Sequence, residues 1–391
     1  MTHMHVLRRC FPAAIALAVA AIGMVVASTP AGAAPAPTAN LTAVSCPRAG
    51  FCMAVGETGR VYVSAAPLAM SWNGQSWADL PFPQPPKAVD VELSGIQCTS
   101  ARYCIVVGDY TARGATNTTL LAARWNGTSW SLVLDAGAGL LTAVSCSAYN
   151  ACTAVGGTNW QTGDYYSLPV AERWNDKRWT REREPTFYPA GGIALTGVAC
   201  PSAQWCIAAG YNSDFDDVQA PIAERWTASA GWKATAISVP PAPAPGVTLT
   251  TTGPVSCSST RGCTVIGASN DPGGLYNIAL ADRWAGSKWT SPQLPGTVSF
   301  TDPDYAYIGG LSCPTASLCM AVAGQQTDVW NGTAWAVQSA TNPDTGATLD
   351  AIACPSASVC TAVGSTSLTS GGTSPLAESW TGTTWAIQPT P

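Results

Sequence analysis

The cysteines restrict this chain more than any other feature. Fourteen of its fifteen fall into seven pairs with five residues between partners: Cys46/Cys52, Cys98/Cys104, Cys146/Cys152, Cys200/Cys206, Cys257/Cys263, Cys313/Cys319 and Cys354/Cys360. An even, regularly spaced set reads as the disulfide framework of an exported chain. Apolar β-like runs bracket each pair, as in Leu41-Thr42-Ala43-Val44-Ser45 before Cys46 and Met53-Ala54-Val55-Gly56 after Cys52. Two strands joined by a short loop bring the loop's ends within bonding reach, which predicts one bridge inside each hairpin. Metal ligation by such units lacks the usual spacing and histidines.

The tryptophans keep step with the cysteines. Fourteen of sixteen form seven pairs: Trp72/Trp77, Trp125/Trp130, Trp174/Trp179, Trp226/Trp232, Trp284/Trp289, Trp330/Trp335 and Trp380/Trp385. Turn chemistry separates the partners, as in Asn73-Gly74, Asn126-Gly127 and Asn331-Gly332. Both residue types tolerate positive φ, so a hairpin is predicted there. Asn126 and Asn331 also begin glycosylation sequons, but the turn accounts for them without that.

One repeat therefore reads as four short strands, in the third unit over Leu141 to Cys146, Cys152 to Gly156, Leu168 to Trp174 and Trp179 to about Arg183. Successive first cysteines lie 52, 48, 54, 57, 56 and 41 residues apart, the range of four-stranded propeller blades. A lone sheet of this size cannot bury both faces, whereas radial stacking covers each with a neighbour. The expected fold is all-β: a seven-bladed β-propeller of antiparallel blades at about 41–88, 89–138, 139–191, 192–247, 248–304, 305–345 and 346–391. Small residues three positions before the first cysteine (Ala43, Gly95, Ala143, Gly197, Gly310, Ala351) fit crowding near the axis; Pro254 breaks that pattern. The sixth unit is trimmed, with 11 residues from Cys319 to Trp330 against 20 to 22 elsewhere, so a tight turn is expected around Gly324 to Thr327.

Residues 1–33 read as a secretory signal: Arg8 and Arg9, an apolar run from Ala13 to Val26, then Ala31-Gly32-Ala33 for cleavage. Arg8-Arg9-Cys10-Phe11 resembles the twin-arginine core, so both Sec and twin-arginine export fit. An Ala/Pro linker follows at 34–40, and no membrane span is expected in the mature chain. Cleavage removes His3 and His5, the only histidines, and leaves 16 basic against 23 acidic residues, a formal charge of −7. That balance argues against nucleic acid as a partner. The loss of imidazole, with no recognisable catalytic motif, argues against neutral-pH acid–base chemistry of the usual kind.

The order of apolar strand, strand ending in Gly, further strand, then Trp leading into a Pro-containing stretch is similar to the kelch repeat, best seen at Trp77-Ala78-Asp79-Leu80-Pro81-Phe82-Pro83. The unit from Leu349 to Gly364 resembles the Cys-paired repeats of proteins exported by high-GC Gram-positive bacteria. The resemblance covers residues 41–391 and implies a kelch-type propeller with no common activity. Galactose oxidase shares that fold, but its copper-binding histidines have no counterpart here, and no cofactor is expected.

A propeller gathers its two hairpin turns per blade on one face, which here would hold the disulfide loops and the Trp-pair turns. Variation falls instead on the connections between second and third strands and between blades, on the opposite face. They carry Asp109 and Tyr110, then Trp160, Asp164, Tyr165 and Tyr166, then Tyr211, Asp214, Phe215, Asp216 and Asp217. Asp271 and Tyr276 follow, then Asp302, Asp304, Tyr305 and Tyr307. Rings stack on sugar faces and carboxylates accept hydroxyl hydrogen bonds, so these residues predict a secreted, monomeric, non-catalytic glycan-binding protein. An extracellular protein-interaction scaffold, or a carboxylate-based glycoside hydrolase or lyase, the hydrolase pairing Asp164 with Asp214 or Asp302, remain alternatives. Asn212, Asp214 and Asp216 alternate like calcium ligands, but the Gly and distal Glu of an EF-hand loop are missing and no metal is expected. Arg124, Arg173, Arg225 and Arg283 recur before the first Trp of a pair and suggest inter-blade ion pairing.

Overall fold

The computed structural model describes residues 38–59, 64–133, 137–158, 168–185, 192–213, 219–237, 248–270, 278–290, 309–341, 343–344, 346–369 and 371–391. The predicted signal and linker lie outside them, apart from the linker's last three residues. Among the described residues no helix is long and apolar enough to cross a membrane.

The protein is an all-β propeller of seven four-stranded antiparallel blades. Each blade takes four consecutive strands in chain order: 39–79, 88–132, 140–181, 193–235, 248–290, 310–339 and 348–388. In the third blade the strands are Leu140–Ala148, Ala151–Gly157, Pro169–Trp174 and Trp179–Arg181, within two residues of the sequence expectation at each end. Asn73, Asn126 and Asn331 each accept two backbone N–H bonds through Oδ1, at 2.8 to 3.0 Å, and the following glycines have φ of 96°, 100° and 99°. The side chain closes the turn while glycine supplies the left-handed backbone. In the sixth blade the second and third strands meet across Gly324 and Gln325, with Gly324 at φ 55°.

All seven cysteine pairs are bonded within their own hairpins, as the spacing predicts: Cys46–Cys52, Cys98–Cys104, Cys146–Cys152, Cys200–Cys206, Cys257–Cys263, Cys313–Cys319 and Cys354–Cys360. Their setting differs from that of staples at loop ends on the hairpin face. The second cysteine of every pair (Cys52, Cys104, Cys152, Cys206, Cys263, Cys319 and Cys360) is buried in the core, one in each of seven apolar clusters. The reason is register. Each stands directly across from the first tryptophan of its blade, as Cys104 does from Trp125, Cys206 from Trp226, Cys263 from Trp284 and Cys360 from Trp380. Cross-strand partners share a face of the sheet, so the sulfur points with the indole into the adjoining blade. Cys206 Sγ lies 3.5 Å from Thr153 Oγ1, and Cys360 Sγ lies 3.2 Å from Met320 Sδ, both in the preceding blade. The second cysteines are therefore packing elements, whereas Cys46, Cys146, Cys200, Cys257 and Cys354 stand on the wall of the axial channel.

Successive side chains of a strand face opposite sides, so each second strand serves two interfaces. Met53 and Val55 of blade 1 pack toward blade 2, while Cys52 and Ala54 pack toward blade 7. The result is one buried cluster at each blade–blade interface, with the Trp pairs as the bulkiest members. Partner rings sit 5.4 to 5.9 Å apart in tilted or edge-on pairs, a favourable aromatic geometry.

Among the described residues no strand is exchanged between the first and last blades, so the ring closes by packing and a few hydrogen bonds that involve side chains. Leu41, Val44, Met70 and Trp77 of blade 1 cluster with Val363 and Ala377 of blade 7. Trp77 Nε1 donates to Gln388 Oε1 at 3.0 Å, and Ala39 N donates to Thr373 Oγ1 at 3.2 Å.

The small residues near the axis have the anticipated role. A Cβ on Gly95 would lie 3.1 Å from Ala143 Cα, and one on Gly310 would lie 2.8 Å from Ala351 Cα, both in the next blade's first strand. Pro254 sits where the register shifts between Thr252 and Val255, in the innermost strand of its sheet. An edge strand and an irregularity are the two settings in which proline is tolerated.

The arginines differ from expectation in their partners. Arg124 reaches Asp176 of the next blade at 3.3 Å, an ion pair as anticipated. Arg173 instead stacks 3.6 Å above the Trp226 ring and donates to Thr153 Oγ1 and Ala203 O, and Arg283 lies 4.5 Å over Trp330. A guanidinium has a flat face to stack with and a fork of donors for nearby carbonyls, so an aromatic face replaces the carboxylate. The preceding acids look elsewhere: Glu172 pairs with Arg181 of its own blade, and fully buried Glu224 faces Glu184, burial and this neighbour driving its pKa upward.

Candidate functional site

The first strand of every blade lines an axial channel of about 930 Å³. Its wall repeats a short pattern: an apolar anchor, a bulged polar residue, a small residue, then an apolar one. Register shifts at Leu41/Ala43, Leu93/Gly95, Leu195/Gly197 and Leu349/Ala351 mark the bulge, which falls at Thr42, Ser94, Thr196 and Asp350. Where the bulged residue is threonine it bonds the next blade: Thr42 Oγ1 donates to Leu93 O, and Thr142 Oγ1 donates to Leu195 O at 2.6 Å. The glycine opposite the bulge is obligatory, since a Cβ on Gly56 would lie 1.9 Å from Asn40 O.

In blade 7 the bulged position is an aspartate, and this opens a departure from the otherwise neutral wall. Glu57 and Asp109 each follow the glycine of a second strand, and Asp90 and Glu92 lie on the first strand of blade 2. With Asp350 they bring five carboxyl groups from blades 7, 1 and 2 to the end of the channel where first strands begin and second strands finish. Glu57 and Glu92 line the channel itself, and among the described lining residues there is no lysine or arginine.

The electrostatics reflect that imbalance. Burial, then the charges of Glu92, Asp350 and Asp90, pushes the Glu57 carboxyl up to about 7, against a hydrogen bond from Asn40. Burial, then Glu92 and Asp90, pushes Asp109 up to about 8. Burial raises Asp350 to about 6, opposed by hydrogen bonds from Asn40 and Thr348. Asp90 Oδ1 accepts the Ala65 N–H at 2.6 Å. Glu92 and Asp109 are direct cross-strand partners, and like charges in that relation destabilise a sheet. Perturbed, mutually repelling acids in a cleft are a signature of functional sites.

The residues proposed from sequence are placed as follows. Tyr110 lies within the second strand of blade 2 and packs half-buried on the blade 1–2 cluster. Tyr211 follows Gly210, the repeat position that holds Glu57 in blade 1 and Asp109 in blade 2, and burial raises its hydroxyl. The candidates at 160, 164–166, 214–217, 271, 276 and 302–307 lie outside the described residues. Sequence reasoning named Asp109 but missed Glu57, Asp90, Glu92 and Asp350. The missed signal was repeat alignment: Asp350 replaces the threonine of Leu41-Thr42-Ala43, and an acid follows the second-strand glycine only in blades 1 and 2. Among the described residues no three acids, cysteines or histidines are placed to hold a metal ion.

No family model matches the sequence, nor does any curated protein. Solved structures similar to this chain include a mutant of the α-L-arabinofuranosidase Arb93A from Fusarium graminearum with an iminosugar inhibitor, at 10% identity and TM-score 0.49, covering 86% of this chain and 92% of that one. Another is the SapL1 lectin with α-methyl fucoside, at 13% identity and TM-score 0.42, covering 73% and 91%. A third is the extracellular domain of a putative one-component system of B. thetaiotaomicron, at 10% identity and TM-score 0.49, covering 86% and 38%. At these values the likeness adds nothing about the chemistry of the site.

Proposed function

We propose that this protein is an extracellular glycan-binding propeller of the kelch type, and that its ligand is taken at the acidic end of the axial channel. The observation that carries the reading is the concentration of five carboxyl groups from three blades at one end of an otherwise neutral, hydroxyl-bearing channel. Sugar hydroxyls donate to carboxylates, and pockets with few, convergent polar groups are where small ligands orient. Seven disulfides fit an oxidising, extracellular compartment. The test is a glycan array with the secreted form, followed by Glu57→Gln and Glu92→Gln. Saturable binding weakened by both substitutions supports the reading. Binding that neither change affects moves the site elsewhere, and capture of a secreted protein alone, with no sugar bound, favours the interaction scaffold.

One observation favours a second reading. A carboxyl held near 7 beside other acids suits the general acid of a glycoside hydrolase, which also needs a second carboxylate across the bond. Turnover on a bound glycan, lost in Glu57→Gln while binding persists, would establish it.

A further inference from the structure

We infer that the hairpin face, at the junction of blades 2 and 3, carries a separate surface for an acidic polysaccharide, built from an exposed tyrosine ring among arginines and lysines. It is independent of the channel. The two hairpin turns of every blade are described, and they are uniform in fold but not in charge. They hold six basic side chains, Arg48, Arg102, Lys177, Arg178, Arg261 and Lys288, all exposed, against one acid, Asp176. Arg124 already reaches Asp176 at 3.3 Å, and no ion pair among the described residues engages any of the six. The whole chain has a formal net charge of −5, so these cations are gathered against the overall trend. A face of one sign concentrates ligands of the other, and an arginine fork matches a carboxylate through two parallel hydrogen bonds.

The ring is the second observation. Tyr149, in the cysteine hairpin of blade 3, is 55% exposed, and it is the one aromatic among the exposed large hydrophobic side chains of the described residues. It stands edge-on to Tyr103 of blade 2, with centroids 6.1 Å apart, and the Tyr103 hydroxyl accepts the Trp174 Nε1–H at 2.7 Å. A surface ring braced in this way loses little freedom on stacking against a sugar. The cations beside it are also positioned. Arg102 precedes Tyr103, and its stem lies along the neighbouring turn, where a Cβ on Gly127 would come 3.1 Å from Arg102 Cγ. Asn175 Oδ1 accepts the backbone N–H groups of Lys177 and Arg178 at 3.1 and 3.0 Å, which fixes the turn that carries both. A polyuronate lays an apolar sugar face on the ring while its carboxylates meet these cations. Single-stranded nucleic acid is held by successive rings under successive bases, and one exposed ring does not provide that.

The test is calorimetric titration of the disulfide-intact protein, at neutral pH and low salt, with polygalacturonate, the same polymer methyl-esterified, and single-stranded DNA of matched length. The free acid should bind about tenfold more tightly than the ester, and about 0.5 M salt should weaken it severalfold. Tyr149→Ala should weaken binding about tenfold, while Tyr149→Phe, which keeps the ring, should bind as the parent does. Lys177→Gln combined with Arg178→Gln should weaken binding severalfold and flatten its salt dependence. Equal binding of acid and ester, or full binding by Tyr149→Ala, overturns the inference, as does no binding of polygalacturonate at all. DNA bound as tightly as polygalacturonate, and weakened in parallel by Tyr149→Ala, overturns the assignment to a polysaccharide. The channel reading stands or falls separately, on Glu57→Gln and Glu92→Gln.

Discussion

Asp109→Asn should make the empty protein more stable in alkali while impairing its site. The folded carboxyl is pushed up to about 8 by burial and by Glu92 and Asp90, against an ordinary value of 3.8. Between those limits the folded state holds a proton that the unfolded chain has released. Stability from this group is therefore fully present below about pH 4, declines as pH rises, and is lost once pH passes about 8. At about 1.4 kcal/mol for each tenfold change in affinity, the ceiling on that loss is about 5–6 kcal/mol. Side-chain rearrangement and entry of water reduce it, so about 2–3 kcal/mol is the working expectation. Asparagine matches the protonated acid in shape and cannot ionise, which flattens this part of the profile. The assay is urea unfolding of both proteins at about pH 3.5, 7 and 9 with disulfides intact. The variant should match the parent at about pH 3.5 and exceed it by about 2–3 kcal/mol at pH 9. A parent whose stability holds steady or climbs between pH 5 and 9 would refute the reasoning, because Asp109 would then have a partner for its charge.

Other substitutions probe the frame. Glu224→Gln should change stability at pH 7 by no more than about 1 kcal/mol, because burial and Glu184 already hold that carboxyl protonated; a loss above about 2 kcal/mol by thermal unfolding would mean a charged, paired group. Arg173→Lys should cost about 1–2 kcal/mol, since an ammonium cannot both cover the Trp226 ring and reach Thr153 and Ala203; an unchanged melting temperature would dismiss the stacking. Gly156→Ala should cost about 3 kcal/mol or more, its Cβ meeting Leu140 O at 2.0 Å, whereas Gly114→Ala at φ 79°, with nothing within 4 Å, should cost about 1 kcal/mol; equal losses would remove the argument for close strand approach.

Repetition made the architecture legible from residues alone. A cysteine hairpin, a glycine-ended strand and a tryptophan hairpin, recurring seven times, leave few ways to bury both faces of each sheet. Local chemistry sufficed for the Asn-Gly turns and the shortened sixth blade, because turn geometry and loop length are written in adjacent residues. Partner choice across blades was not. The pairing of Cys360 with Cys354 could be read from their spacing, but not its burial against Met320. Arg173 could have met an acid, and only the packed interface showed Trp226 beneath it. The acidic site was hidden for the same reason: Glu57, Asp90, Glu92, Asp109 and Asp350 are scattered over nearly 300 positions and share no motif. Ring closure sets blade 7 against blade 1, and that alone brings Asp350 to Glu57. Sequence thus determined the blades, whose contacts are local in the chain. The tertiary structure decided the site, because charges interact through space and burial sets their strength.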